Sequence, residues 1–333
     1  MAQRTILVTG AAGFVGFHLV RHLTEGGARV VGIDNLNAYY DPALKSARLR
    51  LLEEIPAFRF ERLDLADHEG VMDAVARHRP DVVVHLAAQA GVRHSIEAPR
   101  AYAASNLDGF LSVLEACRRH PPSHLLYASS SSVYGANTKV PFAESDPVDL
   151  PVSFYAATKR ANEVMARSYA HLYAIPCSGL RFFTVYGPWG RPDMAYYGFT
   201  EAILEGRPIT LFNGGRMRRD FTYVGDVLDG ICGLIDRPPG SHDVDAGGAP
   251  HQIYNIGNNE PVELARFVTA IETATGCRAE RRFEAMQPGD VTETYADIAK
   301  LGALTGFAPK TSIEDGMARF VAWYREWRAG RAG

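Results

Sequence analysis

Three glycines at three-residue spacing follow directly on the strand-like run Ile6–Thr9, in Gly10-Ala11-Ala12-Gly13-Phe14-Val15-Gly16. A helical pattern near Val15–Glu25 opens immediately behind them. Glycines at these points let the backbone turn sharply from strand to helix and let the two pack closely. They also bring the start of the helix, at Phe14 and Val15, close to any group lying over it. The free N–H groups there suit an anion such as a diphosphate. The bland alternative is a tight turn without a ligand, and the pattern of the following segments weighs against it.

Short apolar runs alternate with helical stretches through the first half of the chain. Arg29–Ile33, Arg59–Leu63, Val82–His85, Leu125–Ser129 and Cys177–Phe182 read as strands. Glu69–Arg77, Tyr102–Arg119 and Ser153–Leu172 read as the intervening helices. Such alternation predicts an α/β fold built on a doubly wound parallel sheet. After residue 185 the pattern becomes mixed. Helices are expected near Phe199–Glu205, Asp226–Ile235, Glu263–Thr275 and Ile313–Trp327, with a strand at Gln252–Ile256 and a frayed end at Ala329–Gly333. We expect a dinucleotide-binding Rossmann-type domain over 1–184, rejoined by about 222–257. A smaller mixed α/β domain is expected over 185–221 and 258–328. With 333 residues the chain is long enough for both.

Composition excludes several classes of function. A net charge of -3 carries no basic footprint for nucleic acid. No apolar run reaches the length of a membrane span. The four cysteines lack Cys-x-x-Cys spacing, so no zinc site or disulfide framework is expected, and no metal. Buried reduced thiols in a cytoplasmic protein are the expectation.

Two carboxylates and a hydroxyl cluster supply the candidate chemistry. Asp34 ends the second strand about twenty residues beyond the glycines, where a carboxylate can bind a ribose diol and repel a 2′-phosphate. That favours NAD over NADP. Asp64, after the third strand, can accept from an adenine amine or simply cap a turn. Tyr155 and Lys159 are four apart and share a helix face. A phenol near its ordinary pKa of about 10 is a poor base at neutral pH, and a neighbouring ammonium favours its phenolate. With fifteen tyrosines in the chain, a Tyr-x-x-x-Lys match arises by chance in about one such chain in five, so its context decides. That context is the run Ser129–Ser132, which offers a hydroxyl to hold the substrate oxygen.

Gly10/Gly13/Gly16, Asp34, Asp64, His85-Leu86-Ala87-Ala88, the serine run and Tyr155/Lys159 stand in an order that resembles the extended short-chain dehydrogenase/reductases. Within that superfamily they resemble the nucleotide-sugar epimerases and dehydratases. Asp34-Asn35-Leu36-Asn37 with Tyr39-Tyr40-Asp41, Ala87–Arg93 and Gln287-Pro288-Gly289-Asp290-Val291 look like those of bacterial UDP-glucuronate 4-epimerases.

The resemblance implies an NAD-dependent isomerase that oxidises C4 of UDP-glucuronate to a 4-keto sugar and returns the hydride on the other face. Tyr155 would be the base, Lys159 the ribose-binding residue that favours tyrosinate, and Ser130 the contact to O4. Cofactor contacts would come from Gly10, Gly13, Phe14, Val15, Gly16, Asp34, Asn35, Asp64, Leu65, Leu86, Ala87 and Ala88, besides Tyr155 and Lys159. Substrate contacts would add Ser131, Ser132, Thr184, Arg219, Phe221 and Asp290, with Arg219 on the UDP phosphates. Arg93 or Arg191 could meet the sugar carboxylate, and either is equally read as a surface arginine. A homodimer built from the helices near 102–119 and 153–172 is also implied.

The serines discriminate among rivals. Related dehydratases carry an Asp-Glu pair after the catalytic hydroxyl, and related decarboxylases a glutamate before Val-Tyr-Gly. Here those positions are Ser131 and Ser132, which can hydrogen-bond a carboxylate without promoting elimination. UDP-glucose 4-epimerase, UDP-glucuronate decarboxylase and a silent NAD- and UDP-sugar-binding sensor are the alternatives.

Overall fold

The computed structural model describes residues 4–240, 243–285 and 293–332. They form two compact units. One comprises Met1–Asn137, Glu144–Phe182 and Leu228–Tyr254; the other comprises Thr138–Ala143, Phe183–Val227 and Asn255–Gly333.

The first unit opens β1 (Thr5–Thr9), α1 (Phe14–Glu25), β2 (Arg29–Asp34), α2 (Pro42–Glu53), β3 (Phe58–Arg62), α3 (His68–His78) and β4 (Val82–His85). Two short turns follow, α4 (His94–Glu97) and α5 (Pro99–Tyr102), then a π-helical stretch Ala103–Asp108, α6 (Gly109–Arg119) and β5 (His124–Ser130). A 3-10 turn at Ser131–Tyr134, the long helix α7 (Phe154–Tyr173) and β6 (Cys177–Phe182) come next. The chain later passes through α9 (Val224–Ile235) to β10 (His251–Ile256), after β7 (Thr184–Tyr186), α8 (Ala195–Leu204), β8 (Ile209–Phe212) and β9 (Arg218–Tyr223).

The main sheet has seven strands in the order β10-β6-β5-β4-β1-β2-β3. Pairing is parallel from β3 through to β6. The order reverses between β1 and β4, and in doubly wound sheets ligands bind at such a reversal, outside the strand carboxyl ends. This is a Rossmann-type fold. Leu7, Val83, Leu125, Tyr127 and Cys177 from the strands pack with Phe110, Leu114 and Ala170 from α6 and α7 in one core.

Two features differ from the expected pattern. Helix α2 has no counterpart in it, because its buried face carries Lys45 and Arg48, which break an apolar stripe. Asp41 caps it, accepting from the Ala43 N–H at 2.9 Å, and Pro42 opens it. The expected continuous helix over 102–119 contains the π-helical stretch, which centres on buried Asn106. Two of the four cysteines, Cys117 and Cys177, are buried as expected, whereas Cys232 is half-buried and Cys277 is exposed.

The second unit is built on β9, which pairs with β7, β11 (Pro261–Glu263) and β13 (Glu293–Thr294). Strand β8 pairs with β12 (Arg281–Glu284). Helices α8, α10 (Leu264–Thr275), α11 (Ala299–Thr305) and α12 (Ile313–Ala332) complete it, and α12 runs to Ala332, into the stretch expected to fray. Phe142 joins this unit by bonds to its backbone: it donates to the Tyr295 carbonyl and accepts from the Asp297 N–H and the Asn255 amide. Among the described residues no helix is long and apolar enough to cross a membrane.

Candidate active site

The glycine loop is held by backbone contacts that side chains would block. Gly10 has φ +71°, and its N–H donates to the Ile33 carbonyl at 2.7 Å. A Cβ at Gly16 would lie 2.1 Å from the Gly10 oxygen, and one at Gly10 only 2.8 Å from the Ala87 nitrogen. The loop therefore packs against both its own helix and the segment after β4. No side chain caps α1, and its first turn holds no acidic residue, so the N–H groups of Phe14 and Val15 face an anion-ready end.

Asp34 ends β2, nearly buried. Its carboxylate accepts from the Leu36 N–H at 2.8 Å and the Ala12 N–H at 3.2 Å. Lys45 stands 3.9 Å from it and donates to Asn37, while buried Arg48 donates to the Ala12 carbonyl at 2.9 Å. Helix α2 thus braces the glycine loop and the loop after β2 together. Exposed Asp64 accepts from Asn35 at 2.9 Å, and Leu65 behind it is buried. Leu86, Ala87 and Ala88 follow β4, where the Leu86 N–H reaches the Thr9 carbonyl and the Ala87 N–H the Thr9 hydroxyl.

A cavity of about 310 Å³ is lined by Asn35, Asn37, Asp64, Gln89, Ala104 and Ser105 among others. Buried Gln89 brings to it a side-chain nitrogen without a protein hydrogen-bond partner. An orphaned buried donor on a residue lining this cavity, together with a glycine loop whose backbone packs too closely to admit a Cβ, fits a dinucleotide. The residues present suit NAD.

The serine run does not merely end a strand. Ser130 closes β5 in extended conformation and its hydroxyl oxygen caps the 3-10 turn, accepting from the Ser132 N–H at 3.2 Å. Its hydroxyl lies 3.2 Å from that of Ser132. Ser131 and Ser132 are half-buried on this turn. The turn closes at Gly135, with φ +55°, where a Cβ would meet the Leu150 carbonyl at 1.9 Å.

Helix α7 is capped by Ser153, which accepts from the Ala156 N–H at 3.1 Å. Tyr155 therefore sits in the first turn, where the helix dipole favours an anion. Lys159 follows one turn on, 2 % exposed, donating to the Ala128 carbonyl at 2.9 Å. Burial pushes its ammonium down to about 8, so it stays charged at neutral pH. His85 is held neutral, at about 3, by burial and by Lys159, and bonds the Thr9 hydroxyl. Tyr102 meets the Tyr155 ring edge-on at 6.1 Å.

Asn106 belongs to this region and went unmarked in the sequence. It accepts from the Gln89 N–H at 2.8 Å and donates to the Gln89 carbonyl and the Thr158 hydroxyl, both at 3.0 Å. Only the π-helical turn delivers it there, and that turn has no spacing signature. Arg93 is exposed at the start of α4.

The remaining candidates lie in the second unit. Thr184 on β7 pairs in register with Phe221 on β9, two residues beyond Arg219. Arg219 is half-buried, whereas Phe221 is buried and stacked on Phe267 at 4.5 Å. Between them Asp220 accepts from the N–H groups of Asn258, Asn259 and Ala296 and from the Thr222 hydroxyl. Arg191 is half-buried and pairs with Asp193, its Nε at 3.0 Å. Asp290 lies outside the described residues.

Comparison with known proteins places these features in a family. The model of the NAD dependent epimerase/dehydratase family matches residues 6–257. The chain is 47 % identical over 327 residues to a probable UDP-glucuronate 4-epimerase of Rhizobium meliloti, covering 96 % of each. It is 46 % identical over 331 residues to UDP-glucuronate 4-epimerase 1 of Arabidopsis thaliana, covering 96 % of this chain and 76 % of that one. Among solved structures it resembles UDP-glucuronic acid 4-epimerase from Bacillus cereus in complex with UDP-glucuronic acid and NAD. That likeness has a TM-score of 0.88 and 32 % identity, covering 97 % and 99 % of the two chains.

Proposed function

The chain belongs to the NAD dependent epimerase/dehydratase family, and from that premise we propose that it interconverts UDP-glucuronate and UDP-galacturonate. The observation that carries this reading is the Ser130–Ser132 turn, which presents hydroxyls and no carboxylate beside the helix of Tyr155 and Lys159.

NAD, when bound, would supply the hydride acceptor and donor for C4 of the sugar. Gly10, Gly13, Phe14, Val15 and Gly16 would hold its diphosphate, and Asp34 and Asn35 its adenosine ribose. Asp64, Leu65, Leu86, Ala87 and Ala88 would complete the contacts to it. Tyr155 takes the O4 proton as tyrosinate, favoured by the Lys159 ammonium and by its place in the first turn of α7. Ser130 donates to O4 as charge develops there and returns no charge of its own.

A 4-keto uronic acid is a β-keto acid and tends to lose carbon dioxide. Ser131 and Ser132 restrain the C6 carboxylate by hydrogen bonds. Arg219 grips the UDP phosphates, so binding energy remote from C4 keeps the intermediate in place. In this reading the first unit holds the cofactor and the second the nucleotide. A homodimer through α6 and α7 is supported by apolar side chains exposed on them: Leu111 at 41 %, Val164 at 54 % and Leu172 at 63 %. The free cysteines accord with a cytoplasmic setting.

Turnover of UDP-glucuronate and of UDP-glucose by the purified protein tests the substrate. A clear preference for UDP-glucose would reject the role given to the serines. Replacement Tyr155→Phe should remove turnover and leave UDP-glucuronate binding; unchanged turnover would reject the base.

A further inference from the structure

Behind the serine turn lies an ion pair that the reaction as described does not use. Glu163 and Arg181 are 2 % and 3 % exposed. Arg181 Nε and Nη2 reach the two Glu163 oxygens at 2.8 and 3.0 Å, a bidentate fork. The Ser129 hydroxyl donates to the same carboxylate at 2.7 Å. The Arg181 guanidinium also lies over the Tyr134 ring, 4.8 Å from its centre.

The positions of these residues matter more than the bond count. Tyr155, Lys159 and Glu163 occupy successive turns of one face of α7. Lys159 bonds the Ala128 carbonyl and Glu163 bonds the Ser129 hydroxyl, two consecutive residues of β5. Arg181 stands directly across the sheet from Ser129. Tyr134 belongs to the turn that Ser130 caps. One pair therefore ties together β5, β6, α7 and the serine turn.

A buried ion pair is a poor source of stability, since desolvation offsets most of its attraction, while its planar fork fixes geometry closely. Burial pushes the Glu163 carboxyl up, and the bonds from Arg181 and Ser129 more than offset that, leaving it ionised. We propose that Glu163 and Arg181 are positioning residues for the reaction, setting the register of Tyr155 and Lys159 against Ser130. The pair itself carries no net charge. The proposal rests on the assignment of Tyr155 as the base.

Other groups facing this region are His85 from β4, Tyr127 from β5, Tyr102 beside Tyr155, and Arg160 with its partner Asp149 at 3.5 Å. Arg160 also reaches Glu163 at 3.2 Å. His85 is held neutral by burial and burial keeps the Tyr127 phenol protonated, so single replacements within the pair unbalance the charge.

The test is the pH dependence of kcat for UDP-glucuronate with Glu163→Gln, Arg181→Gln and the double variant. Glu163→Gln leaves a guanidinium unopposed, so the acid limb should move down by about half a pH unit or more. Arg181→Gln leaves a carboxylate, and the limb should move up by a similar amount. The double variant should restore the limb's position with kcat about tenfold lower and KM little changed, and this alone decides if a single variant does not fold. Limbs that stay in place in every folded variant, or a double variant with undiminished kcat, would overturn the proposal. Tyr155→Phe run alongside separates the cases: residual turnover there rejects the base assignment itself.

Discussion

Lys159 Nζ lies 2.9 Å from the Ala128 carbonyl oxygen, two residues before Ser130 on the same strand. That bond holds a buried ammonium at the foot of the serine turn. Charge is kept there at a cost, and the cost is measurable.

Burial brings the folded-state value of Lys159 from 10.5 to about 8. Below pH 8 the lysine is protonated in both the folded and unfolded chain, and burial of that charge costs about 3 kcal/mol. As pH rises from 8 to 10.5 the folded chain releases the proton first, and the cost disappears. Lys159→Met forgoes the cost and loses a hydrogen bond of about 1 kcal/mol. The NAD-free variant should therefore melt a few degrees above the NAD-free parent at pH 7, with the gap closing toward pH 10.5. Its turnover should fall about a hundredfold or more. A variant less stable at pH 7 than at pH 10, relative to its parent, would contradict this.

Carboxylate restraint by the serine turn predicts a change of product, not only of rate. Ser131→Ala/Ser132→Ala removes two hydroxyls while Ser130, Tyr155 and Lys159 remain. Hydrogen bonds to a charged group contribute about 1.5–3 kcal/mol each. The ratio of UDP-pentose to UDP-galacturonate formed from UDP-glucuronate should rise about tenfold or more, read by chromatography. An unchanged ratio would remove the serines from the restraint.

Cofactor choice should turn on Asp34. Asp34→Asn keeps an acceptor for the Leu36 N–H, 2.8 Å away, and removes the charge that repels a 2′-phosphate. Buried Lys45, 3.9 Å from that carboxylate, keeps its positive charge beside the position. The preference for NAD over NADP should fall about tenfold or more, measured by titrating NAD-free protein with each. A preference that survives intact would mean that other groups exclude the phosphate.

In the second unit Asp220 should matter for stability more than its neighbours on β9. Asp220→Ala leaves the buried Ala296 N–H without its acceptor, along with the half-buried Asn258 N–H and the more exposed Asn259 N–H. The buried group alone costs about 1–3 kcal/mol, so the melting temperature should drop by at least a few degrees. Arg219→Ala should leave stability nearly unchanged and raise KM for the UDP-sugar. Equal melting temperatures for the two variants would refute the distinction.

The parts of the site that were legible in the sequence are those set by local chemistry. The Gly10–Gly16 spacing reports close backbone approach, Asp34 a strand end, and Tyr155 with Lys159 a shared helix face. What stayed hidden depends on partners distant in sequence. Nothing in the sequence marks Lys45 and Arg48, whose partners are Asp34, Asn37 and the Ala12 carbonyl. Asn106 needs a π-helical turn that no periodicity announces. Glu163 looks like an ordinary helix residue, and Arg181 an oddity in an apolar strand, until the sheet register sets Arg181 beside Ser129. The stack of Phe221 on Phe267, forty-six residues further along the chain, also has no local signal.

The central claim is that the hydride removed from C4 of UDP-glucuronate returns to the same carbon on the opposite face. Incubation with UDP-glucuronate carrying deuterium at C4, followed by mass analysis of separated products, tests it directly. UDP-galacturonate should form with the deuterium retained at C4. UDP-pentose as the main product, or UDP-galacturonate that has lost its deuterium to solvent, would contradict it.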